Sequence, residues 1–204
     1  MSNKIIKDAM ALTLITLVAG AALGAVHGIT KEPIARQEAL AKAEAYKEVF
    51  EEAKDYSTVE MTDELAGQLR DSLDSEGYQA QSIEEVVEAV DGSGTSLGYI
   101  ITVISSEGYG GDIKFTMGVQ SDGTMNGISI LSISETAGLG MRANTDEFKS
   151  QFVGKNTDKL VYTKNGASAD NEIDALSGAT VTTNAMTNGV NAGLCAFRVM
   201  EGGE

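Results

Sequence analysis

Near its carboxyl end the chain reads Asp174-Ala-Leu-Ser177-Gly178-Ala179-Thr180-Val-Thr182, a glycine-containing, hydroxyl-rich turn that runs straight into an apolar-periodic stretch. The start of a helix presents N–H groups without intrahelical partners, at the positive end of the macrodipole. A phosphate is attracted by both. Thr180 and Thr182 place hydroxyls where such a phosphate would lie. The plainer alternative is a capped helix, because Ser and Thr are common caps. Gly178 lets backbone come close to a phosphate. Two further segments have the same character: Gly108-Tyr109-Gly110-Gly111 and Glu135-Thr136-Ala137-Gly138-Leu139-Gly140. The second is either a loop that closely approaches a ligand or an ordinary glycine turn. Tyr109 either stacks on a ring or ends a strand as a buried aromatic. Arg142 and Lys155 either offset phosphate charge or stand solvated on the surface.

Together these segments resemble the FMN-binding domain family. Asp-x-x-Ser-Gly-Ala-Thr-x-Thr is similar at every fixed position to that family's flavinylation motif. There a separate flavin transferase esterifies a threonine with the phosphate of FMN. Residues 135–140 resemble a Glu-Thr-Pro-Gly-Leu-Gly loop, with Ala137 where proline is usual. Residues 108–111 resemble a Gly-Tyr-x-Gly turn, and order and spacing agree over roughly residues 95 to 200. With the apolar amino-terminal run, nearly the whole chain resembles the G-subunit family of Rnf complexes, membrane-bound ion-pumping ferredoxin:NAD oxidoreductases. The related C-subunit family of the sodium-pumping NADH:quinone reductase usually carries an extra segment before the flavin domain, which this shorter chain lacks.

The resemblance implies covalent FMN on Thr180, with Thr182 as second candidate or as a cap. Ser177, Gly178, Ala179 and Thr180 would form the anchor turn. Glu135 and Thr136 would bond the polar ring edge, Leu139 between Gly138 and Gly140 would pack on the ring, and Tyr109 would stack. Asp174 would serve transferase recognition or Mg²⁺ during the transfer, since a carboxylate beside a phosphodiester is costly. The implied activity is electron relay inside an oxidoreductase complex, without independent substrate turnover. The implied partners are the membrane, the other membrane and redox subunits, and a flavin transferase. A flavin-holding sensor outside such a complex is the alternative. A pilin-type tethered head is a poorer one, because no Gly-Phe-Thr-like processing site precedes the apolar run and the Ser-Gly-Ala-Thr turn goes unexplained.

Composition agrees with a redox role supplied by an organic cofactor. One Cys and one His give neither zinc nor an iron–sulfur cluster enough ligands, so no metal site is expected. Cys195 lies in the apolar face of the last helix and reads as a small core residue. His27 reads as interfacial. The net charge is −15, of which the first thirty residues contribute +1 and the rest −16, and this acidity argues against nucleic-acid binding.

The site must be carried by a soluble domain on an anchor. Residues 9–30 carry no charged side chain, and as a helix they span about 33 Å, enough for a hydrocarbon core. Gly20, Gly24 and Gly28 allow either close helix packing or no special role. A cleaved signal peptide is the rival reading, with Lys4 and Lys7 as its basic region. The length of the apolar run and its continuation favour a retained anchor. The resemblance places the amino terminus inside and the domain on the extracytoplasmic side of the cell membrane.

The expected organisation is an anchor over 1–30, a helical connecting region over 31–94 and the FMN-binding domain over 95–204. The spacing of Ala39, Ala43, Tyr46, Phe50 and Ala53 predicts an amphipathic helix over 34–56, with Pro33 in its first turn. Leu65, Leu69 and Leu73 predict a second helix, within acidic peripheral structure over 57–95. Strands are predicted over 97–105, 113–120 and 125–133, the last two joined by a turn at 121–124. A short helix over 146–153 and a short strand over 160–163 follow. A final helix runs from about 183 to 200, with Met186, Val190, Leu194 and Phe197 on one face. The fold class is α+β: a transmembrane helix, then a twisted antiparallel sheet with helices packed on it.

Overall fold

The computed structural model describes residues 2–202. Two compact units are present, residues 1–42 and 43–204. The first unit is helical. Helix α1 spans Ser2–Val49 and runs through Pro33, which the sequence placed instead at the start of a new helix. Proline removes one i→i−4 hydrogen bond, and here it falls just past the charge-free stretch. Leu12, Leu14, Ile15, Leu17, Val18 and Leu23 are all exposed. Threonine hydroxyls of this stretch bond within the helix: Thr13 donates its hydroxyl to the Ala9 carbonyl at 2.9 Å, and Thr30 to the Val26 carbonyl at 2.9 Å. The helix is long and apolar enough to cross a membrane.

The second unit opens with the last turns of α1. It continues through β1 (Asp55–Thr58), α2 (Asp63–Ser75), β2 (Gln81–Val90), β3 (Ser96–Ser105), β4 (Ile113–Gln120) and β5 (Met125–Ser132). These strands form one antiparallel meander in the order β1-β2-β3-β4-β5. Register shifts near Ile83, Ala89, Lys114 and Gly118 mark irregularities of the bulge kind, which increase twist. A 3₁₀ turn at Gly140–Asn144, helix α3 (Asp146–Lys149) and a second 3₁₀ turn at Ser150–Phe152 follow. Two three-residue strands, β6 (Val161–Thr163) and β7 (Glu172–Asp174), pair in parallel. Helix α4, Thr180–Met200, closes the chain.

Alternation along the strands gives the sheet two apolar faces. Val86, Ile101, Val103, Phe115, Met117 and Val119 point to one face, where Met186, Val190 and Leu194 of α4 cover them. Val87, Ala89 and Ile100 point to the other, under Tyr46, Val49 and Phe50 of α1. Two glycines let α4 lie close to the sheet. A Cβ on Gly189 would come within 2.8 Å of the Phe115 ring, and one on Gly193 within 2.1 Å of the Met117 sulfur.

Three expectations need correction. Residues 57–95 are not peripheral, because β1 and β2 extend the central sheet. Their charged side chains masked the alternation: Glu84, Glu85 and Glu88 interrupt an apolar run that is buried at Val86, Val87 and Ala89. The helix expected to reach Tyr56 stops at Val49, and Tyr56 enters β1 while still packing beside Tyr46. Helix α4 begins at Thr180 rather than near 183.

A polar clamp secures the last turn of α1 to the domain. Glu48 accepts from the Ser129 hydroxyl at 2.5 Å and from Lys149 at 2.7 Å. Burial opposes its ionisation, but those two hydrogen bonds and the Lys149 charge outweigh burial and hold the carboxyl below its ordinary range. Nearby, Tyr46 donates to Glu85 at 2.7 Å, and burial together with that carboxylate drives the phenol well above its usual range.

Candidate functional site

All three motif segments meet at one end of the sheet. In an antiparallel meander the end of β3, the start of β4 and the end of β5 lie together, as Ser105 opposite Ile113 and Lys114 opposite Ser132 show. The β3–β4 connection carries Gly108–Gly111, and the segment after β5 carries Glu135–Gly140. Helix α4 runs away from this end, in the same direction as β4. Gly189 lies over Phe115, Gly193 over Met117, and Phe197 near Tyr99 at the far end. Its amino terminus, with Thr180, therefore sits at the same sheet end as the two glycine segments.

The anchor turn is shaped by a residue that the sequence motifs do not single out. Thr183, fully buried, accepts from the Leu176 N–H at 3.0 Å and donates to the Ala179 carbonyl at 2.9 Å. The Ala179 N–H closes a turn onto the Leu176 carbonyl at 3.0 Å. Gly178 is third in that turn with φ +77°, the position that demands a left-handed residue. The loop from Thr136 to Leu139 repeats the design: Leu139 N–H bonds the Thr136 carbonyl at 3.1 Å, and Gly138 is third with φ +76°. The loops touch, since a Cβ on Gly178 would meet the Leu139 side chain at 3.2 Å.

The two candidate threonines part company here. Thr180 is exposed in the first helical residue, preceded by Ala179 as cap. Thr182 is 1% exposed, and its hydroxyl donates to Glu135 Oε2 at 2.9 Å. Thr182 thus does not cap α4, one of the alternatives the sequence left open for it, because its side chain turns inward. Glu135 is buried as well. Its Oε1 accepts from the Gly110 N–H at 3.2 Å, so both oxygens face protein rather than a ring edge.

Thr136, Gly138, Leu139 and Ser177 are exposed, as is Tyr109 at 75%, which removes the buried-aromatic alternative for Tyr109. Asp174 points away from the turn: its Oδ1 accepts from the Ala167 N–H at 2.7 Å. Gln151 holds the Asp174 backbone, accepting from its N–H at 2.6 Å. Glu172 pins the same 164–171 loop, and the Ser168 and Ala169 N–H groups hold its carboxyl below the ordinary range. Lys155 donates to the Asp170 carbonyl at 2.8 Å and so belongs to that loop. Arg142 instead lines a small pocket of about 50 Å³ with Asp174, Ala175 and Leu176, beside the anchor turn. Glu107, which directly precedes the Gly108–Gly111 turn, accepts from Gln81 at 2.7 Å and from Asn188 of α4 at 2.8 Å. Cys195 is buried near Ser72, and burial raises its thiol. Of these residues Thr183 left the clearest trace in the sequence, as a tandem threonine at a helix start, whereas Gln151, Glu107 and Asn188 left none.

A helix amino terminus with an exposed hydroxyl thus lies at the same sheet end as an exposed leucine and an exposed tyrosine, an arrangement able to receive a phosphate-bearing ring compound. Residues 108–194 match the FMN-binding domain family, and residues 1–49 match the RnfG N-terminal region. The chain is 29% identical over 200 residues to the G subunit of the Na(+)-translocating ferredoxin:NAD(+) oxidoreductase complex of Acetobacterium woodii, covering 95% of this chain and 92% of that protein. It is also 29% identical over 202 residues to the G subunit of the ion-translocating oxidoreductase complex of Methanosarcina acetivorans, covering 98% of each. Among solved structures, the C subunit of the Na(+)-translocating NADH-quinone reductase from Parabacteroides distasonis aligns with a TM-score of 0.48 at 20% identity. That alignment covers 71% of this chain and 76% of the other.

Proposed function

We propose that this chain is the FMN-carrying electron-relay subunit of an Rnf-type ion-translocating ferredoxin:NAD oxidoreductase, anchored in the membrane by α1. The reading is supported by full-length similarity to subunits bearing that name and by the family match over residues 108–194. Within it, FMN is joined to Thr180 by a phosphoester made by a flavin transferase, and the domain stands on the extracytoplasmic side. The observation that carries the site is the division of labour between the threonines. Thr180 is exposed at the helix start, and Thr182 is committed to Glu135.

The residues fit the group. First-turn N–H groups of α4 and the helix dipole receive a phosphate beside Thr180. Ser177, Gly178 and Ala179 turn the backbone there, and Arg142 adds a cation near the same turn. Leu139 and Tyr109 offer apolar surface to a ring, and Thr136 offers a polar rim. When bound, FMN supplies reversible electron transfer, and the protein supplies its position. Covalent attachment keeps the cofactor from escaping where no FMN pool replaces it, and holds it at a fixed distance from neighbouring redox subunits.

The test is the intact mass of the full chain made with and without an active flavin transferase. The expected product is heavier by one FMN less water and fluoresces in a denaturing gel. A colourless product of unmodified mass, made with the transferase present, sinks the proposal.

A further inference from the structure

We propose that Glu135 is a positioning residue whose carboxylate locks three separate segments into one frame and thereby presents Thr180 for loading. The proposal rests on Thr180 as the FMN acceptor, and it gives Glu135 a role inside the protein. A buried carboxylate is costly unless its oxygens receive donors. Glu135, 8% exposed, receives two from distant parts of the chain: the Gly110 N–H in the β3–β4 connection and the Thr182 hydroxyl in the first turn of α4. Bare backbone encloses it. A Cβ on Gly140 would fall 2.5 Å from both Glu135 Oε2 and Thr182 Oγ1, and one on Gly108 would fall 2.9 Å from Oε1. A side chain at either position would intrude on the carboxylate. From the other side Glu107 ties the Gly108–Gly111 turn to α4 and β2 through Asn188 and Gln81.

The frame also chooses between the threonines. Residues two apart on a helix point roughly 200° from one another. With Thr182 held inward by Glu135, Thr180 faces outward. Release of Thr182 frees the first turn of α4 to roll or fray, and the outward hydroxyl loses its fixed direction.

The experiment compares Glu135→Ala and Glu135→Gln in the full chain in detergent, by hydrogen exchange before loading and by the rate of covalent FMN incorporation with a flavin transferase. Alanine removes both acceptors. Peptides covering 108–111 and 180–183 should then both exchange roughly tenfold faster or more, the effect of an unpaired buried donor. The β4 peptide should stay unchanged. Incorporation should slow by a similar factor at a temperature where circular dichroism reports an intact fold. Glutamine keeps an oxygen for Gly110 and offers Thr182 an amide donor, which a rotated hydroxyl can accept. That variant should stay within about threefold of the parent in both readouts.

Loosening of only one segment in the alanine variant, or loading at the parental rate, overturns the proposal. A glutamine variant as slow as alanine also overturns it, since the negative charge rather than the frame would then act. A parent chain that takes no FMN fails the proposed function instead, and the exchange pattern still decides the frame by itself.

Discussion

At the scale of single residues, the two threonines of the anchor turn should respond in opposite ways to loss of the hydroxyl. Thr180→Val removes an exposed group, so the fold should survive while covalent FMN disappears from the mass spectrum. Thr182→Val leaves a buried carboxylate oxygen without its donor, at a cost of about 1–3 kcal/mol, but keeps the Thr180 hydroxyl, so covalent FMN should form more slowly rather than disappear. Peptide mapping after transferase treatment decides: an adduct on Thr182 with Thr180 unmodified exchanges the roles. Glu48 gives a second residue-level expectation. Its folded carboxyl titrates below the ordinary value of 4.5, so its contribution is present above that value and fades as pH falls through the folded value. Its side chain is 47% exposed, and solvent screening limits the contribution to about 1 kcal/mol or less. Glu48→Gln should therefore be slightly less stable than the parent at pH 7. The two denaturation midpoints should converge as pH falls below the folded value. A gap that widens in acid refutes the assignment.

At the scale of elements, helix α4 does three jobs. Its central face covers the sheet, its polar residues hold neighbouring segments, and its first turn carries the proposed FMN site. Asn191 bonds both the N–H and the carbonyl of Leu160, at 2.7 and 2.9 Å, and so places the start of β6 against the helix. Thr183 fixes the turn that delivers the chain into the helix. Thr183→Val keeps the side-chain shape but leaves the Leu176 N–H buried and unpaired, which should cost about 1–3 kcal/mol. In a domain of this size each kcal/mol lowers the melting temperature by about 2–4 °C. Scanning calorimetry of the variant should show that fall, with Thr180 loading slowed at temperatures where the fold persists. An unchanged melting temperature removes Thr183 from this role.

At the scale of the whole molecule, a long apolar helix and an acidic α+β domain divide anchoring from chemistry. The proposed arrangement places the domain outside the cytoplasm. Protease added to spheroplasts that express the chain with its partner subunits should digest the domain and spare the first residues. Full protection places the domain on the inner side, and clean release into the soluble fraction marks the apolar stretch as a cleaved leader. The acidic charge suits a surface that meets protein partners rather than anionic lipid. Co-purification of the chain with membrane and redox subunits, lost on deletion of α1, is the corresponding expectation for assembly.

Much of this molecule was legible along the chain. The charge-free stretch, the hairpin of β4 and β5, the apolar face of α4 and the Asp174–Thr182 turn are local patterns, and local propensity and periodicity decide them. The resemblance was legible too, because its motifs are short contiguous runs. Other features depend on contacts between distant residues. Residues 57–95 carry too many acidic side chains to show their alternation, and only pairing with β3 makes β2 an inner strand. Pro33 reads as a helix start, yet α1 continues through it. The inward turn of Thr182 escaped the sequence reading because the helix was expected to begin near residue 183, whereas α4 starts at Thr180 and puts Thr182 one turn before Met186 on the buried face. That face packs on the sheet, and the rotation that seats Met186, Val190 and Leu194 on it also aims Thr182 at Glu135 and leaves Thr180 outside. Sequence named the pair of hydroxyls; tertiary packing separated them, because only one side of a helix can face a core.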